Sequence, residues 1–333
     1  MKYIILFCCI AGLACRQPAP TTYPTIGGLE ALTPEFYQII DSGALPEILA
    51  DGFDWTEGPL WIPATQTVLF SDLPPNRIYQ WQEGTGVKVY LEPSGYTGTK
   101  PRGGEPGSNG LLMDKEGKLV LCQHGDRRIA VMDAPLEKPA PKFLTIADNW
   151  EGKRLSSPND AVFSSDGSLF FTDPPYGLEK NMDDTAKEIS FQGVYQWKEG
   201  KVKLLVDSIT RPNGISLLDG EKTFLVANSD PERAVWYLFD REEGDRLTNP
   251  RLLFDAMPWV NKENKGLPDG LKVARQGTIF ATGPGGVWVF SSEKKFVGRI
   301  KIPEACSNVA LSDDEKVLYI TADRYLLRLR MKK

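Results

Sequence analysis

Six times along this chain an Asn, Asp or Glu stands just ahead of a hydrophobic strand, which then turns on a short polar segment into a second strand. The positions are Glu57, Asn109, Asn159, Asn213, Asp269 and Asn308, in TEGPLWIPATQTVLFSD, SNGLLMDKEGKLVLCQ, PNDAVFSSDGSLFFTD, PNGISLLDGEKTFLVAN, PDGLKVARQGTIFATG and SNVALSDDEKVLYITA. They lie 52, 50, 54, 56 and 39 residues apart. A period of this length marks a repeat architecture, in which each unit covers the hydrophobic face of the next. If every repeat places its polar residue at the same point, six side chains converge on one axis.

The third repeat shows what one unit is. Ala161 to Ser165 alternates, Asp166-Gly167 makes a tight turn, Ser168 to Thr172 is apolar and aromatic, and Gly193 to Lys198 turns at Glu199-Gly200 into Lys201 to Val206. These are the signals of a four-stranded antiparallel meander. The last repeat is one strand short, with Val317 to Thr321 and Tyr325 to Arg330 before the chain ends. Its missing partner is at the other end, where Glu47 to Asp51 resembles Leu252 to Asp255. An N-terminal strand that completes the C-terminal blade closes a ring and removes exposed edges. The expected fold is therefore all-β, a six-bladed β-propeller, and a mixed sandwich accounts for neither the six matched loops nor the split last repeat.

The repeats run without a linker, so the 333 residues read as one large domain after an N-terminal leader. Lys2, the apolar run Tyr3 to Leu13, Ala14 and Cys15 form a signal peptide too short to span a bilayer. Gly-Leu-Ala-Cys at Cys15 resembles a lipoprotein cleavage site, which implies an exported, periplasmic or membrane-anchored bacterial lipoprotein. Residues 1–14 are thus expected as signal peptide, 15–28 as a Pro- and Thr-rich tether, and 29–333 as the propeller. A net charge of -5 without a dense basic patch argues against nucleic acid as a partner. Cys122 and Cys306 read as small buried hydrophobes rather than a disulfide.

Glu57, Asn159, Asn213 and Asp269 offer two carboxylates and two amide carbonyls, a hard oxygen set that suits calcium, with magnesium, manganese or zinc in its place. Asn and Asp also favour turns in any β protein. Six loops in one register favour the shared-site reading. A Lewis acid in such a funnel makes hydrolysis reasonable, with Asp269 as the first candidate base and His124, the only His, as the second. There is no Gly-x-Ser-x-Gly elbow and no His-Glu-x-x-His, and GPGGVW at 283–288 lacks the strand-to-helix context of a dinucleotide site.

TEGPLW at 56–61, RLSSPNDAVFSSDGSLFFTDPPYGLE at 154–179, RPNGIS at 211–216 and LPDGLKV at 267–273 resemble the senescence marker protein, gluconolactonase and luciferin-regenerating enzyme family. CQHGDRR and TDPPYGLE look closest to its bacterial gluconolactonase branch, and diisopropyl fluorophosphatase has a similar propeller and metal ring. The resemblance implies Glu57, Asn159, Asn213 and Asp269 as the divalent-metal site, with Asp269 also the acid or base. It implies Asn159 and Arg154 as substrate contacts. Asn109 and Asn308 are not ligands in those relatives, and line the pocket or close turns. Asp173 and Tyr176 shape the pocket or form a rigid turn. The function expected is divalent-metal-dependent hydrolysis of a sugar lactone such as glucono-1,5-lactone. Two alternatives stay open: an aryl esterase or organophosphate hydrolase on the same site, and a non-catalytic, calcium-stabilised sugar-binding propeller.

Overall fold

Each repeat folds into the expected antiparallel sheet, because the alternating strands are joined by turns that reverse the chain within a few residues. At Asp166-Gly167, Gly167 takes a φ of 83°, a left-handed value that costs a residue without a Cβ little. The computed structural model describes residues 22–332. The signal peptide, Cys15 and the first part of the tether lie outside the described residues.

Blade 1 comprises Thr56–Ile62, Thr67–Asp72, Arg77–Gln82 and Gly86–Leu91. Blade 2 comprises Ser108–Met113, Leu119–Gln123, Arg128–Met132 and Phe143–Ala147. Blade 3 is Ala161–Phe163, Leu169–Asp173, Gly193–Lys198 and Lys201–Val206. Blade 4 is Pro212–Leu218, Thr223–Asp230, Arg233–Glu242 and Arg246–Asp255. Blade 5 contains Leu271–Val273, Ile279–Gly283, Gly286–Phe290 and Phe296–Lys301. Blade 6 contains Cys306–Leu311, Val317–Ala322 and Tyr325–Arg330. Its fourth strand is Glu47–Asp51, which pairs antiparallel with Tyr325–Arg330, Glu47 opposite Arg328. The first strand of each blade touches the first strand of the next, blade 6 to blade 1 included, so the ring is closed.

The core is divided among the gaps between blades. Leu69, Ile78, Leu111 and Leu121 pack blades 1 and 2, and Phe170, Val194, Phe224 and Val226 pack blades 3 and 4. Trp236, Trp288 and Phe290 fill the gap between blades 4 and 5, while Val68, Trp81, Ala310 and Leu326 fill that between 6 and 1. Burying each large side chain of this kind contributes about 1.5–3 kcal/mol. Cys122 and Cys306 are buried free thiols within these cores.

Part of the expected tether is structured. Thr25 bridges to Glu47, Ile26 donates its N–H to Pro46, and Gly28–Ala31 adds a fifth strand to blade 5 along Phe296–Lys301. Gly27 and Gly28 in the sequence read as the end of a flexible segment. Pairing with a distant strand edge overrides that local signal.

The closing blade is held by charge as well as by backbone pairing. Arg328 is almost fully buried, ion-pairs with Glu47 of the closing strand and with Glu83 of blade 1, and lies 4.8 Å over the Tyr23 ring. It thus ties the N-terminal segment, blade 6 and blade 1 together. Arg328→Met removes the charge that both carboxylates face, and Glu83 remains half-exposed to water. The substitution is expected to cost about 2 kcal/mol of stability, read by urea unfolding.

Candidate active site

The first strand of each blade begins at the axis, so the residue at its entry meets its counterparts there. The meeting is close enough to exclude side chains at the following position. A Cβ on Gly58 would stand 2.2 Å from the carbonyl oxygen of Asn109, and one on Gly110 2.8 Å from that of Asn159. A Cβ on Gly214 would stand 2.3 Å from the carbonyl oxygen of Asp269, and one on Gly270 2.0 Å from the side chain of Asn308. Glycine follows the polar residue in four of the six repeats, where the next blade occupies that space, with its backbone at three of them and with the Asn308 side chain at Gly270. Gly110 N–H donates to Asn159 O at 2.8 Å and Gly270 N–H to Ser307 O at 2.7 Å, so the same approach is also bonded.

Above this ring opens a cavity of about 470 Å³, lined by Glu57, Asn109, Asn159, Asn213 and Asp269 together with Glu105, Tyr176, Arg211, Ser229 and Lys265. That volume suits a small molecule of sugar size. The buried oxygens Asn109 Oδ1, Asn213 Oδ1 and Asp269 Oδ1 have no hydrogen-bond partner. For Asn213 the reason is visible: its Nδ2 donates to Ser229 Oγ at 2.8 Å, and Ser229 Oγ donates to Pro268 O at 2.5 Å. The amide is therefore turned with its oxygen away from these partners. Glu57 Oε2 accepts from its neighbour Gly58 N–H at 3.0 Å.

Electrostatics carry the same message. Burial pushes the Glu57 carboxyl up to about 8, against the pull of the Gly58 N–H, with the Asp160 and Glu105 charges adding to it. Burial also raises Asp269 well above the usual carboxylate range, and Glu57 and Glu105 raise it further. Carboxylates and orphaned amide oxygens face this one cavity, and their hard oxygen chemistry fits a divalent cation. Among the described residues no three His, Cys, Asp or Glu side chains cluster as a metal site by themselves. Any oxygen donor set in this cavity would draw on the Asn amides as well as the carboxylates.

Not every expected residue reaches the cavity. Asn308 is buried and absent from the cavity lining; its Oδ1 accepts from Val309 N–H at 2.8 Å, and its side chain bonds the Glu57 carboxyl. Arg154 is exposed on a two-stranded hairpin, Asn149–Trp150 with Lys153–Arg154, and donates to Asp126 O. It is absent from the cavity wall, because the hairpin lifts it away from Asn159. His124 is fully buried and stands behind the wall, with Nδ1 3.3 Å from Glu105 Oε2. Tyr176 does line the cavity, and burial followed by the Asp269 charge raises its phenol. Asp173 lies outside it and holds the Asn159 loop, accepting from Ser156 and Ser157 N–H at 2.8 and 2.7 Å.

Among the cavity residues that went unnoticed in the sequence are Glu105, Arg211 and Ser229. Glu105 sits in the loop from Gly95 to Gly107, whose path no local pattern dictates. Arg211 and Ser229 carried a fainter signal, being adjacent to the Asn213 motif and at the end of the strand paired with it. No ion pair holds Arg211 among the described residues, so its guanidinium is available to the cavity.

A closed six-bladed propeller with oxygen donors gathered at one mouth of its axis defines a class of small-molecule-binding propellers. The family described as the SMP-30/Gluconolactonase/LRE-like region matches residues 55–324, and the chain belongs to it. A gluconolactonase from Zymomonas mobilis is 32% identical over 314 residues, covering 92% of this chain and 87% of the relative. A pentonolactonase from Haloferax volcanii is 25% identical over 272 residues, covering 80% of each chain. The solved structure of a gluconolactonase from Xanthomonas campestris superposes with a TM-score of 0.79 at 27% identity, covering 96% of this chain and all of that one.

Two outcomes follow from this geometry. Gly214→Ala places a methyl group against Asp269 O, and is expected to lower stability by about 1–3 kcal/mol and to disturb Asp269, read by thermal unfolding and calcium calorimetry. Burial pushes Asp173 up to about 7 in the folded chain, so the folded state holds that proton more tightly than the unfolded one. Its contribution therefore weakens as pH rises from about 4 to 7. The melting-temperature difference between wild type and Asp173→Asn should be larger at pH 5.5 than at pH 8.

Proposed function

We propose that this protein hydrolyses sugar lactones with the help of a divalent cation, calcium first, held by Glu57, Asn159, Asn213 and Asp269. Its gluconolactonase and pentonolactonase relatives support lactone hydrolysis as the reaction class. The observation that carries the cation is the set of buried, partnerless oxygens on Asn109, Asn213 and Asp269 beside carboxyls whose ionisation burial opposes. When bound, the ion supplies positive charge that polarises the lactone carbonyl and offsets the charge building on its oxygen.

The chain's own residues supply position and proton transfer. Ser229 keeps the Asn213 oxygen, rather than its NH₂, available to the site. Asp269 Oδ1, which has no partner, accepts the proton of the attacking water. Asn109, Asn159 and Tyr176 present polar groups to the sugar hydroxyls, and Arg211 presents a cation to the carboxylate that forms. The segment 260–267 forms one wall of the cavity and limits its opening to water. The leader, residues 1–14, supports export, with a lipid anchor at Cys15 as the membrane attachment.

A pH-stat panel of aldonolactones, run with added calcium and with chelator, tests the reading. Hydrolysis is expected with calcium and its loss with chelator, and Asp269→Asn should lower kcat by about 100-fold or more. Full activity of Asp269→Asn with calcium present sinks the mechanism. Preference for aryl esters or organophosphates, or tight sugar binding without turnover in calorimetry, would instead establish one of the two alternatives.

A further inference from the structure

We propose that Glu105 is a second catalytic carboxylate, the proton donor to the lactone ring oxygen, and that His124 is the residue that positions it. The proposal rests on the lactonase reading above. Glu105 lines the cavity from the loop entering blade 2, whereas Asp269 opens blade 5, three blades away around a ring of six. The two carboxylates therefore enter the cavity from different parts of the ring, so that one can serve the attacking water and the other the ring oxygen.

The loop that carries Glu105 is strapped down. Asn76 Oδ1 accepts from Gly95 N–H at 2.7 Å, Gly107 N–H donates to Leu73 O at 3.0 Å, and His124 N–H donates to Gly107 O at 3.2 Å. Between these ties Arg102 donates to Gly125 O at 2.7 Å and to Gly177 O, pinning the loop over the segment that holds His124.

His124 itself is unusual among buried groups. It is wholly inaccessible to solvent, and neither ring nitrogen has an aligned hydrogen bond. Nδ1 is 3.3 Å from Glu105 Oε2, near but off-line. Buried polar atoms without partners are rare, and catalytic hydrogen bonds often align only when substrate is bound. Gly177 packs directly against it, so close that a Cβ there would stand 2.6 Å from His124 Cβ. The adjustable partner is the Glu105 side chain, which is 34% exposed.

In the step assigned to it, the bond between the carbonyl carbon and the ring oxygen breaks, its electron pair goes to the ring oxygen, and the Glu105 proton caps it as a hydroxyl. The water that forms the new C–O bond gives its proton to Asp269. Asp269 then releases a proton to solvent and Glu105 regains one from it, so the protons balance over a turnover.

The test compares leaving groups. On an aldonolactone, whose leaving group is a poor alkoxide, Glu105→Gln should lower kcat by about 100-fold with KM nearly unchanged. On dihydrocoumarin, an aryl lactone whose phenolate leaves unaided, the loss should be under about 5-fold. His124→Gln should show the same pattern more weakly, and the double variant should be no slower than Glu105→Gln alone. Circular dichroism checks the fold of the buried variant, and Glu105→Gln decides the question without it. Equal losses on both substrates, or full activity of Glu105→Gln, overturn the assignment while leaving the lactonase reading intact. Wild-type protein that hydrolyses no lactone overturns both.

Discussion

Close approach of six inner strands at one axis is the constraint on which the rest depends. The space between neighbouring inner strands is too small for a Cβ at Gly58, Gly110, Gly214 and Gly270, so each polar residue ahead of these glycines is held against the backbone of the next blade. This geometry does two things at once. It closes the ring, since each blade's inner edge is packed on its neighbour, and it fixes the oxygens of Glu57, Asn109, Asn213 and Asp269 around one cavity. Rigid placement of this kind is what lets a binding site keep unpaired oxygens and unwilling carboxylates in place until a partner arrives.

The ring in turn depends on its seam. The strand Glu47–Asp51 crosses from the N-terminus to finish blade 6, and Gly28–Ala31 extends the same segment onto blade 5. Arg328 gathers the charges of the closing strand and of blade 1. A chain that joins its two ends in neighbouring sheets converts a stack with free edges into a closed one, and the active-site geometry inherits that stability.

Within a common scaffold the chemistry lies in departures from the repeat. Blade 6 carries Val309 where four others have glycine, and its Asn308, buried and bonded to Val309 N–H, is absent from the cavity lining. Blade 3 has Asp160 in that place, a buried carboxylate whose charge acts on Glu57 and Asp269. The loop before blade 2 is long and brings Glu105 to the cavity, where it meets His124, the residue after the second strand of that blade.

What the sequence determined was everything repeated: the number of blades, the meander within each, the closing strand at Glu47–Asp51, and the five cavity-lining residues of the motif, because periodic patterning is a local property summed over many positions. What it could not determine was set by contacts between distant segments. Residues 25–28 joined the fold through pairing with blades 5 and 6, against a local composition that reads as tether. Arg154 left the site because a small hairpin formed, and Glu105 entered it because Asn76, Leu73 and Arg102 shape a loop with no pattern of its own. Only the tertiary structure decides which long-range hydrogen bonds a loop finds, and those bonds decide which side chains face the cavity.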